Sequence, residues 1–214
     1  MIVSIARELG AGGNTVGAAI ADQLGATLLD ERSIIEQLAQ RHGISTDYLA
    51  RTIERPPTLG ESLMADLARA SAMLHFNTEW RMPEAPLIDR VRSLVFEAAE
   101  TGHVVVIGHG GVSMLGWRPN GVRVLAILLQ AGVAWRVDQL ARRFNIDHGE
   151  AQRRVERIDD ARKRYQQHYF ACDMYDSRRY DLVLNTERMG LDLAVTLATT
   201  AALAAAEERA VNAT

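Results

Sequence analysis

The chain has 214 residues, of which 48% are hydrophobic and 24% are charged, and its formal net charge at pH 7 is −3. This composition is typical of a globular protein with a sizeable core, and the small charge gives no global attraction to nucleic acid or acidic membranes. The single cysteine, Cys172, excludes an intramolecular disulfide and any zinc site built from several cysteines.

The apolar stretches near the two ends of the chain do not predict membrane segments. The first strand-like run starts at residue 1 with no basic stretch before it, and residues 191–206 are too weakly hydrophobic for a membrane span. We therefore expect a cytoplasmic protein with no nucleic-acid or membrane partner. The sequence leaves the oligomeric state open, with a homo-oligomer among the options.

Strand-like and helical patterns alternate along the chain. Short apolar, β-branched runs predict strands at residues 1–6, 26–30, 103–108, 122–128 and 181–185. Helical spacing of apolar residues predicts helices at residues 15–24, 31–42, 86–102, 131–144 and 147–169, and a C-terminal helix. Continuous apolar runs are typical of parallel strands covered on both faces. The sequence therefore predicts a single α/β domain, a three-layer sandwich around a five-stranded parallel sheet.

Two segments interrupt this alternation. Residues 43–85 change to short helical pieces broken at Pro56 and Pro57, which predicts a helical insertion beside the sheet. Residues 147–180 contain a long polar helix that is rich in arginine. The remaining ranges, residues 1–42, 86–146 and 181–214, form the predicted core.

A glycine-rich turn joins the first strand to the first helix. Gly10, Gly12 and Gly13 permit the tight backbone path of a phosphate-binding nest, next to a helix N-terminus with unpaired amides. The nucleotide-binding residues predicted here are Gly10, Ala11, Gly12, Gly13, Asn14 and Thr15. The full phosphate-loop pattern has a lysine where this chain has Gly13, and a hydroxyl where it has Asn14. An ordinary strand-to-helix turn is the alternative interpretation.

The order of elements resembles the cytidylate-kinase-like family of nucleoside monophosphate kinases, whose fold is P-loop NTPase-like. The resemblance covers nearly the whole chain and rests on motifs at residues 4–13, 28–30, 104–111, 118–120, 158–165 and 180–186. It implies transfer of a phosphoryl group from ATP, with Mg²⁺, to a nucleoside monophosphate. CMP or dCMP is the first acceptor to test. The insertion would bind the monophosphate, and residues 147–180 would form an arginine-rich lid.

The resemblance also implies roles for individual residues. Thr15 would reach the metal ion, and Asp30 would lie near the acceptor. Candidate phosphate ligands in the insertion are Arg51 and Arg55. His109 is either a substrate-binding or metal-binding side chain or a hydrogen-bonded histidine in a glycine turn. The arginines that would neutralise the transferring group are Arg136, Arg157, Arg162 and Arg164.

The chain departs from ordinary cytidylate kinases at two places. Gly13 replaces the lysine, and Ile-Gly-His-Gly at residues 107–110 replaces an Asp-Gly-Arg-Asp pattern. Losing these charges without replacement would slow phosphoryl transfer by several orders of magnitude. We hypothesise that Arg7 takes over the charge of the lysine. Two other functions stay open, a non-catalytic nucleotide-binding sensor or interaction protein, and a kinase of another small molecule.

Overall fold

A five-stranded parallel sheet organises the residues that the computed structural model describes, which are 1–47, 49, 84–116 and 121–211. The strands are β1 (Ile2–Arg7), β2 (Thr27–Leu29), β3 (Val104–Ile107), β4 (Val124–Gln130) and β5 (Leu182–Asn185). Their order is β2-β3-β1-β4-β5, and every neighbouring pair is parallel. The central strand β1 therefore ends at the crevice beyond the strands' carboxyl ends, where such sheets bind ligands.

Helices cover both faces of the sheet. They are α1 (Gly13–Leu24), α2 (Glu31–His42), α3 (Glu84–Thr101), α4 (Gly111–Leu115), α5 (Val133–Phe144), α6 (His148–Phe170), α7 (Thr186–Met189) and α8 (Leu191–Val211). One core cluster packs α1 and α8 on the sheet, and a second packs α2 and α3 on the opposite face. The predicted three-layer sandwich with five parallel strands is confirmed.

The alternating faces of the central strand explain its continuous apolar sequence. Val3 and Ile5 pack in the cluster with α1 and α8, whereas Ile2 packs in the cluster with α2 and α3. All three side chains are fully buried. A strand buried on both faces has no solvent side, so it lacks the polar alternation of an exposed strand.

Element boundaries differ from the prediction by a few residues. Arg7 is the last residue of β1 and pairs with Leu129, so it belongs to the strand rather than to the loop. Asp30 caps α2 rather than ending a strand. Residues 48 and 50–83, which hold most of the predicted insertion, lie outside the described residues, as does the 118–120 motif.

The C-terminal helix α8 packs on α1 through small side chains. Ala194, Ala198 and Ala202 are fully buried against the sheet and α1. Within the described ranges, no helix combines the length and the apolar character needed to cross a membrane.

Close packing between α1 and β3 depends on Gly17. A Cβ added there would lie 2.5 Å from Ile107 Cδ1. We expect Gly17→Val to lower the free energy of unfolding by about 1–3 kcal/mol, because overpacking forces neighbouring side chains to shift. Ala18→Val, on the exposed side of the same helix, should change it far less. Chemical denaturation measures both, and equal losses would contradict this close approach.

Candidate functional site

Two left-handed glycines shape the loop between β1 and α1. Gly10 has φ 86° and Gly12 has φ 84°, a region that residues with a Cβ rarely adopt. A Cβ at Gly10 would lie 3.0 Å from the carbonyl oxygen of Arg136, and one at Gly12 would lie 2.4 Å from Leu191 Cδ1. The backbone conformation therefore favours glycine at both positions, and at Gly10 the neighbouring backbone of Arg136 also leaves little space for a Cβ.

The loop leads into an uncapped helix N-terminus. Gly12 precedes α1 and provides no side-chain hydrogen bond to it, and the N–H of Val16 bonds back to the Gly12 carbonyl at 3.0 Å. The amides of the first turn have no acceptor within the helix, and the positive end of the helix dipole lies there. Asn14 and Thr15 are exposed in this turn, whereas the Ala11 side chain is in the core. This arrangement suits an anion.

The Arg7 side chain lies against the start of α1. Only 9% of Arg7 is exposed, and a Cβ added at Gly13 would lie 2.8 Å from Arg7 Cγ and 3.1 Å from Arg7 Cβ. A side chain at position 13 and the Arg7 side chain therefore compete for the same space. Glycine is required at position 13 as long as Arg7 keeps this place.

A pocket of about 500 Å³ opens beside Arg7 at the carboxyl ends of β1, β2 and β3. Its lining residues are Arg7, Asn14, Asp30, Glu31, Arg32, Ile35, Glu36, Thr46 and Ile107. This volume is typical of small-molecule sites. Asp30 is fixed at the pocket by a capping box, in which its Oδ1 accepts from the Ser33 N–H at 2.8 Å and its own N–H donates to Ser33 Oγ at 2.9 Å.

The turn after β3 runs through three consecutive left-handed residues. Gly108, His109 and Gly110 have φ angles of 85°, 54° and 66°. A Cβ at Gly110 would lie 2.5 Å from the Phe170 ring, so α6 packs directly on this turn. His109 is 2% exposed and lines a cavity of about 30 Å³ together with Arg7 and Arg162.

A buried ionic cluster lies where the glycine loop meets α5 and α6. Arg136 is 3% exposed, its Nε donates to the Ala131 carbonyl at 2.9 Å, and its Nη1 donates to the Leu9 carbonyl at 3.1 Å. The same Nη1 bonds to Asp159 Oδ2, and Glu8 Oε2 lies 3.5 Å from Nε. This guanidinium is engaged by groups of the protein itself.

Comparison with known proteins assigns the family. The sequence matches the cytidylate kinase-like family over residues 2–188. The chain belongs to this family.

Individual relatives agree with this assignment, and solved structures share the fold. A cytidylate kinase of Methanopyrus kandleri is 27% identical over 198 residues, 90% of this chain and 88% of that protein. One of Ignicoccus hospitalis is 26% identical over 194 residues, 91% and 94% of the two chains. The crystal structure of an uncharacterized protein from Eubacterium ventriosum has a TM-score of 0.65 at 16% identity and covers 92% of this chain and 94% of its own. TT1252 from Thermus thermophilus has a TM-score of 0.51 at 19% identity, with 95% and 96% covered. These two structures support the fold alone.

The arginines implied by the family resemblance occupy different environments. Arg162 Nη1 donates to the Arg7 carbonyl at 3.3 Å, so this arginine reaches the end of β1, just before the glycine loop. Arg164 is instead paired with Asp160 at 2.7 Å on the outer face of α6, with 62% of its side chain exposed. Arg157 is also exposed on that helix. The structure therefore brings Arg7 and Arg162 together and leaves Arg157 and Arg164 on the surface of α6.

The structure also bears on Arg136, on the two arginines of the insertion and on metal binding. Arg136, for which the resemblance implies a place beside the transferring group, is buried and bonded to Asp159. Arg51 and Arg55 lie outside the described residues. Within the described ranges, no group of three or more His, Cys, Asp or Glu side chains is arranged to hold a metal ion.

Sequence reasoning missed three residues of the buried cluster. Glu8 and Asp159 stand inside the quoted motifs, but nothing in those motifs indicates that both meet Arg136. Tyr175 carries no sequence signal, yet its hydroxyl donates to Glu8 Oε1 at 3.1 Å and Lys163 Nζ lies 5.1 Å from its ring centroid. Burial, followed by the Glu8 and Asp159 charges, raises the pKa of the Tyr175 phenol well above its usual value.

This raised pKa predicts a pH dependence of stability. The folded protein keeps the Tyr175 proton where the unfolded chain loses it, so the stabilisation is present below pH 10 and is lost as the pH rises. Between pH 9 and pH 11 the wild type should lose on the order of 1 kcal/mol more unfolding free energy than Tyr175→Phe, or less where solvent screens the phenol. Tyr180, whose pKa is raised to about 12, contributes equally in both proteins. Urea denaturation at the two pH values checks this, and parallel losses would contradict it.

Proposed function

We propose that this protein is a phosphotransferase that moves a phosphoryl group from ATP to a nucleoside monophosphate, with CMP or dCMP the first acceptor to test. The observation that carries the proposal is the position of Arg7 at the end of β1. Its side chain fills the space that a Cβ at Gly13 would need, and it lines the 500 Å³ pocket. Membership of the cytidylate kinase-like family and relatives named cytidylate kinase support it.

The loop residues fit the phosphates of a nucleoside triphosphate. Left-handed glycines and the uncapped N-terminus of α1 present backbone N–H groups without a side chain in the way. Mg²⁺, when bound, neutralises charge between the transferring and leaving phosphates. Thr15 is the first candidate to contact it, and the nucleotide's own oxygens would complete the coordination, because the described residues form no carboxylate cluster for a metal.

Arg7 supplies the positive charge that the lysine provides in the full phosphate-loop pattern. An oxygen of the acceptor phosphate attacks the γ-phosphorus of ATP, the bond to the β–γ bridging oxygen breaks, and ADP leaves with that electron pair. Such a reaction needs positioning and positive charge more than covalent help from the protein. Arg7 and Arg162 are the guanidinium groups at the loop that provide this charge.

The 500 Å³ pocket is the proposed acceptor site. Asp30 lies in its lining with a carboxylate oriented by Ser33, and it would accept a hydrogen bond from an amino or hydroxyl group of the acceptor. Arg32 lies in the same lining, paired with Glu36 at 2.8 Å. Residues 43–85 and 147–180 keep their proposed roles as the acceptor-binding segment and the lid, and Arg51, Arg55, Arg157 and Arg164 remain candidates within them.

A phosphoryl-transfer screen tests this proposal. The purified protein is incubated with ATP, Mg²⁺ and each of the four monophosphates, and ADP formation is measured. We expect turnover with a cytidine monophosphate and a fall in kcat of about 100-fold or more in Arg7→Gln, because one lost contact to transition-state charge costs that much. The matched control is Arg92→Gln, which removes an exposed arginine from α3. Unchanged turnover in Arg7→Gln would refute the role of Arg7.

A nucleotide-binding protein without transfer activity is the second candidate. It is favoured by the end of β3 and the turn after it, where Ile107 and Gly110 stand in place of the two acids that could order a metal. Thermal unfolding with ATP, with CMP, with both and with neither separates the two functions, because a ligand of the native state raises the melting temperature. A shift without turnover would favour this candidate, and no shift with any nucleotide would contradict both.

The contact between Arg7 and Gly13 predicts the effect of restoring the lysine. We expect Gly13→Lys to lower kcat to about the level of Arg7→Gln, because its Cβ would displace the Arg7 side chain. In Arg7→Gly/Gly13→Lys the space is free and part of the activity should return. Ala18→Lys adds the same charge to the exposed side of α1 and serves as the control. Wild-type turnover in Gly13→Lys would show that the two side chains do not compete.

A further inference from the structure

We infer that Asp159 and Arg136 are positioning residues, which hold the glycine loop in its anion-binding shape by hydrogen-bonding to the backbone of Leu9. The kinetic part of this inference rests on the proposed function. The structural part concerns the loop itself and can be tested without any substrate.

Leu9 is held at three points. Its N–H donates to Asp159 Oδ1 at 2.9 Å, and its carbonyl accepts from Arg136 Nη1 at 3.1 Å. Its side chain packs on the apolar cluster between α5 and α6, which includes Val137 and Val155. One peptide unit on each side of Leu9 and its side chain are thus all fixed by the same pair of helices, so the residue before Gly10 cannot change conformation alone.

The charges that hold Leu9 are buried. The side chains of Arg136 and Asp159 are 3% and 11% exposed. Glu8 is 12% exposed and lies 3.5 Å from Arg136 Nε, and its Oε2 accepts from the Ala131 N–H at 2.9 Å. Removing one member of such a cluster leaves an uncompensated charge in the interior, which is far more disruptive than the loss of a surface pair.

Gly10, the next residue of the loop, lies against the same arginine, Arg136. Gly10 approaches Arg136 so closely that an added Cβ would lie 3.0 Å from the Arg136 carbonyl oxygen and 3.2 Å from its Cβ. Leu9 is therefore bonded to the Arg136 side chain while Gly10 lies against its backbone. The path of the loop into α1 depends on where α5 places this one residue.

Helix α6 contacts the end of β1 and the loop from two positions one turn apart. Asp159 accepts from the Leu9 N–H, and Arg162 donates to the Arg7 carbonyl at 3.3 Å. Residues three apart lie on the same face of a helix. Helix α6 and the loop are consequently one structural unit. A ligand that binds the loop must therefore change how stably α6 packs against it.

The test is Asp159→Asn with Glu156→Gln as the matched control, since Glu156 is an exposed carboxylate on the same helix that accepts from Gln152. An asparagine cannot accept from both Leu9 and Arg136 with the charge that Arg136 requires. We expect hydrogen exchange at the Leu9 amide to become at least about tenfold faster in Asp159→Asn, with exchange in β1 unchanged. We expect kcat for phosphoryl transfer to fall by a similar factor while the KM for the acceptor stays within about twofold.

Each outcome decides part of the inference. Leu9 exchange equal to that of Glu156→Gln overturns it, whatever the kinetics. Faster exchange with unchanged kcat in an active enzyme overturns the positioning role. A wild type that transfers no phosphoryl group refutes the proposed function. The exchange measurement still tests whether Asp159 and Arg136 hold Leu9 in place.

If Asp159→Asn does not fold, the double variant Arg136→Met/Asp159→Leu replaces the pair with apolar side chains of similar size, a change that buried pairs often tolerate. It should fold and show the same fast exchange at Leu9. A folded double variant with slow exchange overturns the inference.

Discussion

The buried guanidinium of Arg136 is the interaction on which the shape of the site depends. It joins the carbonyl of Leu9 in the glycine loop, the carbonyl of Ala131 at the end of β4 and the carboxylate of Asp159 on α6. These three groups come from segments far apart in sequence. A single side chain thereby fixes the relative position of the central strands, the loop and the arginine-rich helix.

Charge is divided between the two sides of the loop. On the side that faces α5 and α6, the carboxylates of Glu8 and Asp159 lie close to the guanidinium of Arg136. On the other side, the Arg7 side chain lies against the start of α1, and Arg162 bonds to the Arg7 carbonyl. The proposed anion site therefore has two guanidinium groups close by, although the whole chain carries a net negative charge.

The sheet and the position of the loop follow from the sequence because they depend on local patterns. Continuous apolar runs indicate strands buried on both faces, and a cluster of glycines between a strand and a helix indicates a tight turn. Where Arg136 points depends instead on Asp159, 23 residues further along the chain, and on a strand end that the sequence pattern places only approximately. The same holds for Tyr175, since its contact with Glu8 joins residues separated by 167 positions. Spacing along a helix carries no information about such pairings.

The close approach of Arg7 to Gly13 also constrains how this loop can change in evolution. The chain has placed its charge at the end of β1 and kept the first residue of α1 free of a side chain. Any change from this arrangement to the lysine-bearing loop passes through a sequence in which two side chains need one volume, unless residue 7 becomes small first. A chain with a small residue at position 7 and glycine at position 13 has neither the arginine nor the lysine charge at the loop. The two loop types are therefore separated by a step that loses charge or packing.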